Sequence, residues 1–193
     1  MSRRSLPVVA SLLMLTSVTA AQQSAHVHGI ATLNLAMEGD ELEIEFVSPA
    51  GNIVGFEHEA VTAAERRAIR DAIEQLRKGN ELFDLPLAAS CSLHVAEVEH
   101  GHGEEEKRED GHGQDAEHDD GDEHGHAGED GDGTHSEFHA RYRCECNGSA
   151  IETIGVRLFE YWPRIEAIRV QALTPDGQVG GVAKADDPVI RLR

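Results

Sequence analysis

Residues 100 to 135 read "HGHGEEEKREDGHGQDAEHDDGDEHGHAGEDGDGTH", and no other stretch limits the fold of this chain so strongly. Fourteen Asp or Glu stand there against two basic residues, among seven His and nine Gly, with two alanines as the only apolar side chains. A segment of charge about −12 with so little apolar surface cannot offset the entropy of ordering, so disorder is its expected state. The fold must come from what flanks it. In a chain of 193 residues, that leaves material for a single domain.

The N-terminus, "MSRRSLPVVASLLMLTSVTAAQQ", carries Arg3 and Arg4, then an apolar run from Leu6 to Val18, then the small residues Ala20 and Ala21. This order describes a secretory signal peptide over residues 1–20, and the apolar run is too short to span a bilayer. Loss of Arg3 and Arg4 with the leader takes the formal charge from −19 to −21, of which about −9 lies outside the tract. A chain so charged is repelled by nucleic acid and by anionic membrane surfaces. Cations are its expected partners. No later apolar run reaches membrane length, so no membrane insertion is expected after cleavage, and the mature chain, 21–193, is expected in the periplasm.

Alternation predicts an antiparallel hairpin of residues 29–37 and 41–48: Leu33 and Leu35 on one arm, Leu42, Ile44 and Phe46 on the other, with "EGD" between them. The next segment, "VTAAERRAIRDAIEQLRKG", has the Thr62 and Glu65 of a capping box and Gly79 as a C-terminal signal. Ala68, Ile69, Ala72, Ile73 and Leu76 form one apolar stripe, which predicts a helix packed on a sheet. "CSLHVAEVE" and "SEFHARYRCEC" both alternate and flank the tract. They predict two antiparallel strands whose turn has grown into the acidic loop, 99–136. Cys91, Leu93 and Val95 share one face, as do Phe138, Ala140, Tyr142, Cys144 and Cys146. Residues 151–193 supply three or four more strands, with Pro163 as a break and "TPDGQ" as a turn. The expected fold class is α+β, antiparallel β-sheets with one main helix and a long His/Asp/Glu-rich insertion.

Growing a turn of about four residues to nearly forty costs roughly 2 kcal/mol of closure entropy, at about 0.6 per doubling. In an oxidising compartment, two of Cys91, Cys144 and Cys146 can pair. A bridge from Cys91 to either partner would close the same loop and contribute on the order of 4 kcal/mol, more than offsetting the insertion.

Twelve histidines mark the chemistry. Seven lie in the tract: His100, His102, His112, His118, His124, His126 and His135. Five, His26, His28, His58, His94 and His139, fall in segments expected to be ordered. Imidazole suits Zn²⁺, Cu²⁺ and Ni²⁺, whereas calcium favours oxygen-only sites. His26 and His28, two apart, project from one face of an extended strand, although a solvated chain end reads the same way. His58, between Glu57 and Glu59, is either a ligand or an exposed loop residue. His94 and His139, on the strands beside the tract, could face one another as half a tetrahedral site or simply stand exposed. No arrangement of nucleophile, base and orienting residue occurs, and the tract glycines are not at a strand-to-helix junction where phosphate would bind. The residues therefore argue against an enzyme.

Three blocks, "AHVHGIATLNLAMEGDELEIEFVSPAGNIVGFEHEA", "CSLHVAEVEHGHGE" and "HSEFHARYRCEC", closely resemble the ZrgA-like periplasmic zinc-binding proteins of Gram-negative bacteria. The resemblance implies a β-rich zinc-binding domain and a role in zinc acquisition with an ABC-type uptake system. It places metal ligands at His26, His28, Glu57, His58 and His139. "YRCEC" departs from the pattern, in which an aromatic residue stands in place of Cys144. Cys146 then matches the family cysteine, implying a bridge from Cys91 to Cys146. The resulting expectation is a Zn²⁺-capturing protein whose tract collects metal weakly and whose ordered sites, His94 included, hold it. An acidic interaction module and a copper or nickel buffering protein are the alternatives.

Overall fold

The computed structural model describes residues 27–102 and 136–193, with the side chain of His102 outside the description. The leader, His26, His112, His118, His124, His126 and His135 lie outside the described residues.

Two strands, β1 (Ile30–Glu38) and β2 (Glu41–Pro49), form the expected hairpin, with Glu38 opposite Glu41. Their inward set, Leu33, Leu35, Leu42, Ile44 and Phe46, is buried, and Glu41 and Glu43 face out. Each large side chain removed from water in this way contributes about 1.5–3 kcal/mol. The short helix α1 (Ala50–Ile53) follows directly. Helix α2 (Ala63–Leu76) opens on a reciprocal capping box: Thr62 Oγ1 accepts from the Glu65 amide while Glu65 accepts from the Thr62 amide. Ala72 and Leu76 are buried, with Ile69 and Ile73 packed beside them.

Gly79 does not end α2 in a left-handed cap. Arg77 caps α2, and Gly79 opens a second short helix, α3 (Gly79–Leu82). A Cβ at Gly79 would lie 2.8 Å from the Tyr142 ring, so this glycine serves close approach. Tyr142 in turn donates its hydroxyl to the Leu76 carbonyl at 2.7 Å, and burial raises its pKa.

After α3 come β3 (Phe83–Asp84) and a 3₁₀ turn, Leu87–Ala89. The strands that flank the tract are β4 (Cys91–His102) and β5 (Ser136–Cys146), antiparallel as expected. The remaining elements are β6 (Thr153–Val156), α4 (Leu158–Tyr161), β7 (Ala167–Thr174), β8 (Gly177–Lys184) and β9 (Val189–Arg191). Six strands make one sheet in the order β4-β5-β2-β1-β7-β8, and β3-β6-β9 make a small second sheet. One pairing departs from the antiparallel expectation: β1 and β7 run parallel, Leu33 opposite Val170. Between the large sheet on one side and α2, α3 and the small sheet on the other lies a single apolar core.

A bulge corrects the face expected for β4. The register slips between Leu93 and Val95, so Leu93 opposes Cys144 on the inner face while Val95 opposes Arg143 on the outer one. Ala96 and Val98 take the inner positions.

Cys91 and Cys146 are bridged, 55 residues apart, and Cys144 is a buried free thiol. Burial pushes the Cys144 pKa up, which keeps it protonated and poorly suited to bind metal.

Candidate metal centre

The large sheet brings four strand ends together at one end. β1 begins there at Ile30, β2 finishes at Pro49, β4 finishes at His102 and β5 starts at Ser136. In the register, Glu137 stands opposite both Pro49 and Gly101, and His102 opposite Ser136. The tract therefore leaves and re-enters the domain at the same place where the residues preceding β1 and following β2 lie.

Two His–carboxylate pairs occupy this end. His28 Nε2 lies 3.0 Å from Glu57 Oε1, with His28 largely exposed and Glu57 nearly buried. Both side chains sit over Gly51 in α1: a Cβ there would fall 2.9 Å from Glu57 Oε1 and 3.3 Å from His28 Cδ2. A nitrogen and an oxygen sharing one tetrahedral Zn²⁺ stand about 3.4 Å apart, given bond lengths near 2.0–2.2 Å. The spacing of this pair is within a few tenths of an ångström of that requirement.

The second pair lies on the outer face of β5. His139 Nε2 donates to the carboxylate of Glu137, which is 8 % exposed. That bond raises the His139 pKa, with a smaller contribution from Glu45 and opposition from burial and from Arg141. The stabilisation by charged His139 is complete below its unfolded pKa and is lost as pH rises through the raised folded one. Replacing Glu137 with Gln is expected to bring the His139 pKa down; an NMR titration of the metal-free protein showing no decrease would contradict the geometry.

The pairs are tied together through the backbone. Ser136 Oγ, at the first residue of β5, donates to the Glu57 carbonyl at 2.9 Å. His100 lies on the inner face of β4, half-buried, its ring 4.5 Å from that of Phe138. It belongs to a strand, although the sequence counts it with the tract.

His58 is one residue from Glu57 but points elsewhere. Its ring stacks on Phe56, its Nδ1 donates to the Glu59 carbonyl at 2.9 Å, and its Nε2 is 3.9 Å from Glu65 of the capping box. His94 and His139 do not face one another. Glu99 stands opposite His139, and His94 sits in the bulge near the disulfide, 3.3 Å from Glu145. The bulge and the four residues Val95, Ala96, Glu97 and Val98 separate His94 from the position opposite His139, so the two histidines cannot share the site that a simple alternation suggests.

Among the described residues, no three His, Cys, Asp or Glu side chains are arranged to hold an ion. What the described part presents is two half-sites at one end of a sheet. Glu137, Ser136 and Asn52 were missed by sequence reasoning. For Glu137 a signal existed, since "EFH" places a carboxylate and a histidine on the same face of a strand by the same two-residue logic as "HVH".

The geometry can be set beside known proteins. Residues 25–192 match the family described as ZrgA family zinc uptake protein. A search of curated proteins finds no match.

Proposed function

This chain belongs to the ZrgA family of zinc uptake proteins, and from that premise we propose that it is exported to the periplasm, captures Zn²⁺ there and assists an ABC-type zinc uptake system. The observation that carries the reading is that the His28–Glu57 and Glu137–His139 pairs both lie at the sheet end that bears the tract. In this reading His28, Glu57 and His139 are ligands, with His26 two residues before His28 in sequence, while His58 is turned toward Phe56, Glu59 and Glu65 and is a ligand only if it leaves those partners. His94 belongs to the opposite end of the hairpin and is not part of the set.

The remaining tract histidines act as a weak, multivalent collector that keeps zinc concentrated beside the ordered donors. The acidic field draws divalent cations from short range, since charges are screened beyond about 8 Å at physiological salt. A cystine bridge between Cys91 and Cys146 fits an oxidising compartment, and no described helix is long and apolar enough to cross a membrane. Zinc is carried in this reading, not used in a reaction.

Histidine must be neutral to ligate, so binding weakens as pH falls, and at His139, whose pKa is raised by Glu137, the loss sets in above the ordinary imidazole value of about 6.5. Titration of the metal-free protein with Zn²⁺ should reveal a site tighter than any in the isolated peptide 99–136. His28→Ala and His139→Ala should each weaken that site by at least about tenfold, the lower range for disturbing a metal's surroundings. Unchanged affinity in both variants, with unchanged growth under zinc limitation, would favour an acidic interaction module. Retention of copper or nickel in place of zinc by the protein isolated from cells would favour buffering of those metals.

A further inference from the structure

Asn52 is 2 % exposed, yet it belongs to a four-residue helix with a polar side chain that needs partners in the interior. It has three. Asn52 Oδ1 accepts the Gly29 amide at 2.8 Å, Asn52 Nδ2 donates to the Ile30 carbonyl at 3.1 Å, and the same nitrogen donates to Ser48 Oγ at 3.2 Å. The first two clamp both sides of the peptide segment at which the chain enters β1, immediately after His28. The third anchors the clamp to the end of β2. The preceding residue, Gly51, is the floor on which His28 and Glu57 meet.

We propose that Asn52 is a positioning residue for zinc capture: it fixes the backbone at Gly29–Ile30 so that His28 is held over Gly51 against Glu57. This rests on the reading that His28 and Glu57 are ligands. The physical reason is that His28 is mostly exposed and precedes the first strand. An exposed side chain at a chain entry has few contacts to set its direction, here Glu57 and the Gly51 backbone, so its orientation depends on where the backbone starts it, and Asn52 is what holds that backbone. Gly51 complements the clamp by leaving the volume that the imidazole and carboxylate fill.

The inference predicts a coupling that a merely structural asparagine would not show. Asn52→Asp keeps an acceptor for the Gly29 amide but loses the donor to Ile30 and Ser48, and Gly51→Ala fills the floor while leaving the clamp intact. Each is expected to weaken zinc binding by about tenfold, the lower range for residues that orient a metal's ligands, and to do so only while His28 is present. In a His28→Ala background, Asn52→Asp should change zinc affinity less than twofold. A full tenfold effect of Asn52→Asp in that background would overturn the proposal.

A second measurement reads the geometry without metal. In the metal-free wild type, the His28 Hδ2 proton should show a nuclear Overhauser effect to the Gly51 Hα protons, and Asn52→Asp should abolish it. Persistence of that contact in Asn52→Asp also overturns the proposal, whether or not zinc binds. If instead His28→Ala and Glu57→Ala leave zinc affinity unchanged while the contact behaves as expected, the ligand assignment falls and the positioning of His28 stands. Far-UV circular dichroism and the intact Cys91–Cys146 bridge verify that each variant is folded.

Discussion

Replacing Cys91 and Cys146 together with alanine is expected to lower the unfolding free energy by about 4 kcal/mol, from the chain entropy of a ring spanning 55 positions. The effect is large because the bridged ring contains the whole tract, a segment whose freedom in the unfolded chain nothing else restrains. Urea titration of the oxidised wild type and the double variant measures it, and a difference below about 1 kcal/mol would rule out the entropic account. The same logic gives a compensating change. Shortening residues 103–135 to a tight turn in the bridge-free variant should return roughly 2 kcal/mol, because closing a turn costs less than closing a long loop. With the bridge present, both effects act on one hairpin, and the shortening and the bridge should not simply add.

Phe138→Ala is expected to cost about 3–5 kcal/mol, as for other fully buried aromatic side chains reduced to a methyl group. Phe138 has no exposed surface and sits third in β5, closer to the tract than any other fully buried aromatic. Ser48 and His100 oppose it on either side, and the His100 ring lies against its own. The loss therefore has two parts, a cavity in the core and the removal of the surface on which His100 rests. Denaturant unfolding reads the first, and the His100 ring resonances of the metal-free protein read the second. A cost under about 1 kcal/mol would mean that this end of the sheet collapses into the gap easily, and that the half-sites above it are held by hydrogen bonds alone.

Local patterns made much of this fold readable. Leu42, Ile44 and Phe46 alternate with glutamates, and no other conformation buries the first set while wetting the second. Thr62 and Glu65 announce the start of α2 because a helix leaves amides that only such side chains satisfy. What failed to show was long-range or one residue wide. The parallel pairing of β1 with β7 joins segments more than a hundred residues apart, and no alternation encodes which strand lies beside which. The bulge at His94 shifts everything after it by one position, which removed Val95 from the core and dissolved the expected pairing of His94 with His139.

The candidate site was legible in part for the same reasons. His28, Glu57 and His139 stand out by residue type, and the structure brings them to one end. Their supports do not stand out. Asn52 looks like an ordinary turn residue after a proline, and only its burial and its three bonds reveal a task. Ser136 reads only as the polar first residue of a strand, whereas it is 4 % exposed and bonded to the Glu57 backbone.

The bulge in β4 also bears on how copies of this domain behave together. β4 is an edge of the large sheet, and a long flat edge is a template on which another chain can add a strand. Here the edge is kinked at His94, and Glu97 and Glu99 project from it in exposed positions. A second domain laid alongside would meet like charge and a strand that has turned out of plane. Together these features work against edge-to-edge pairing of β4.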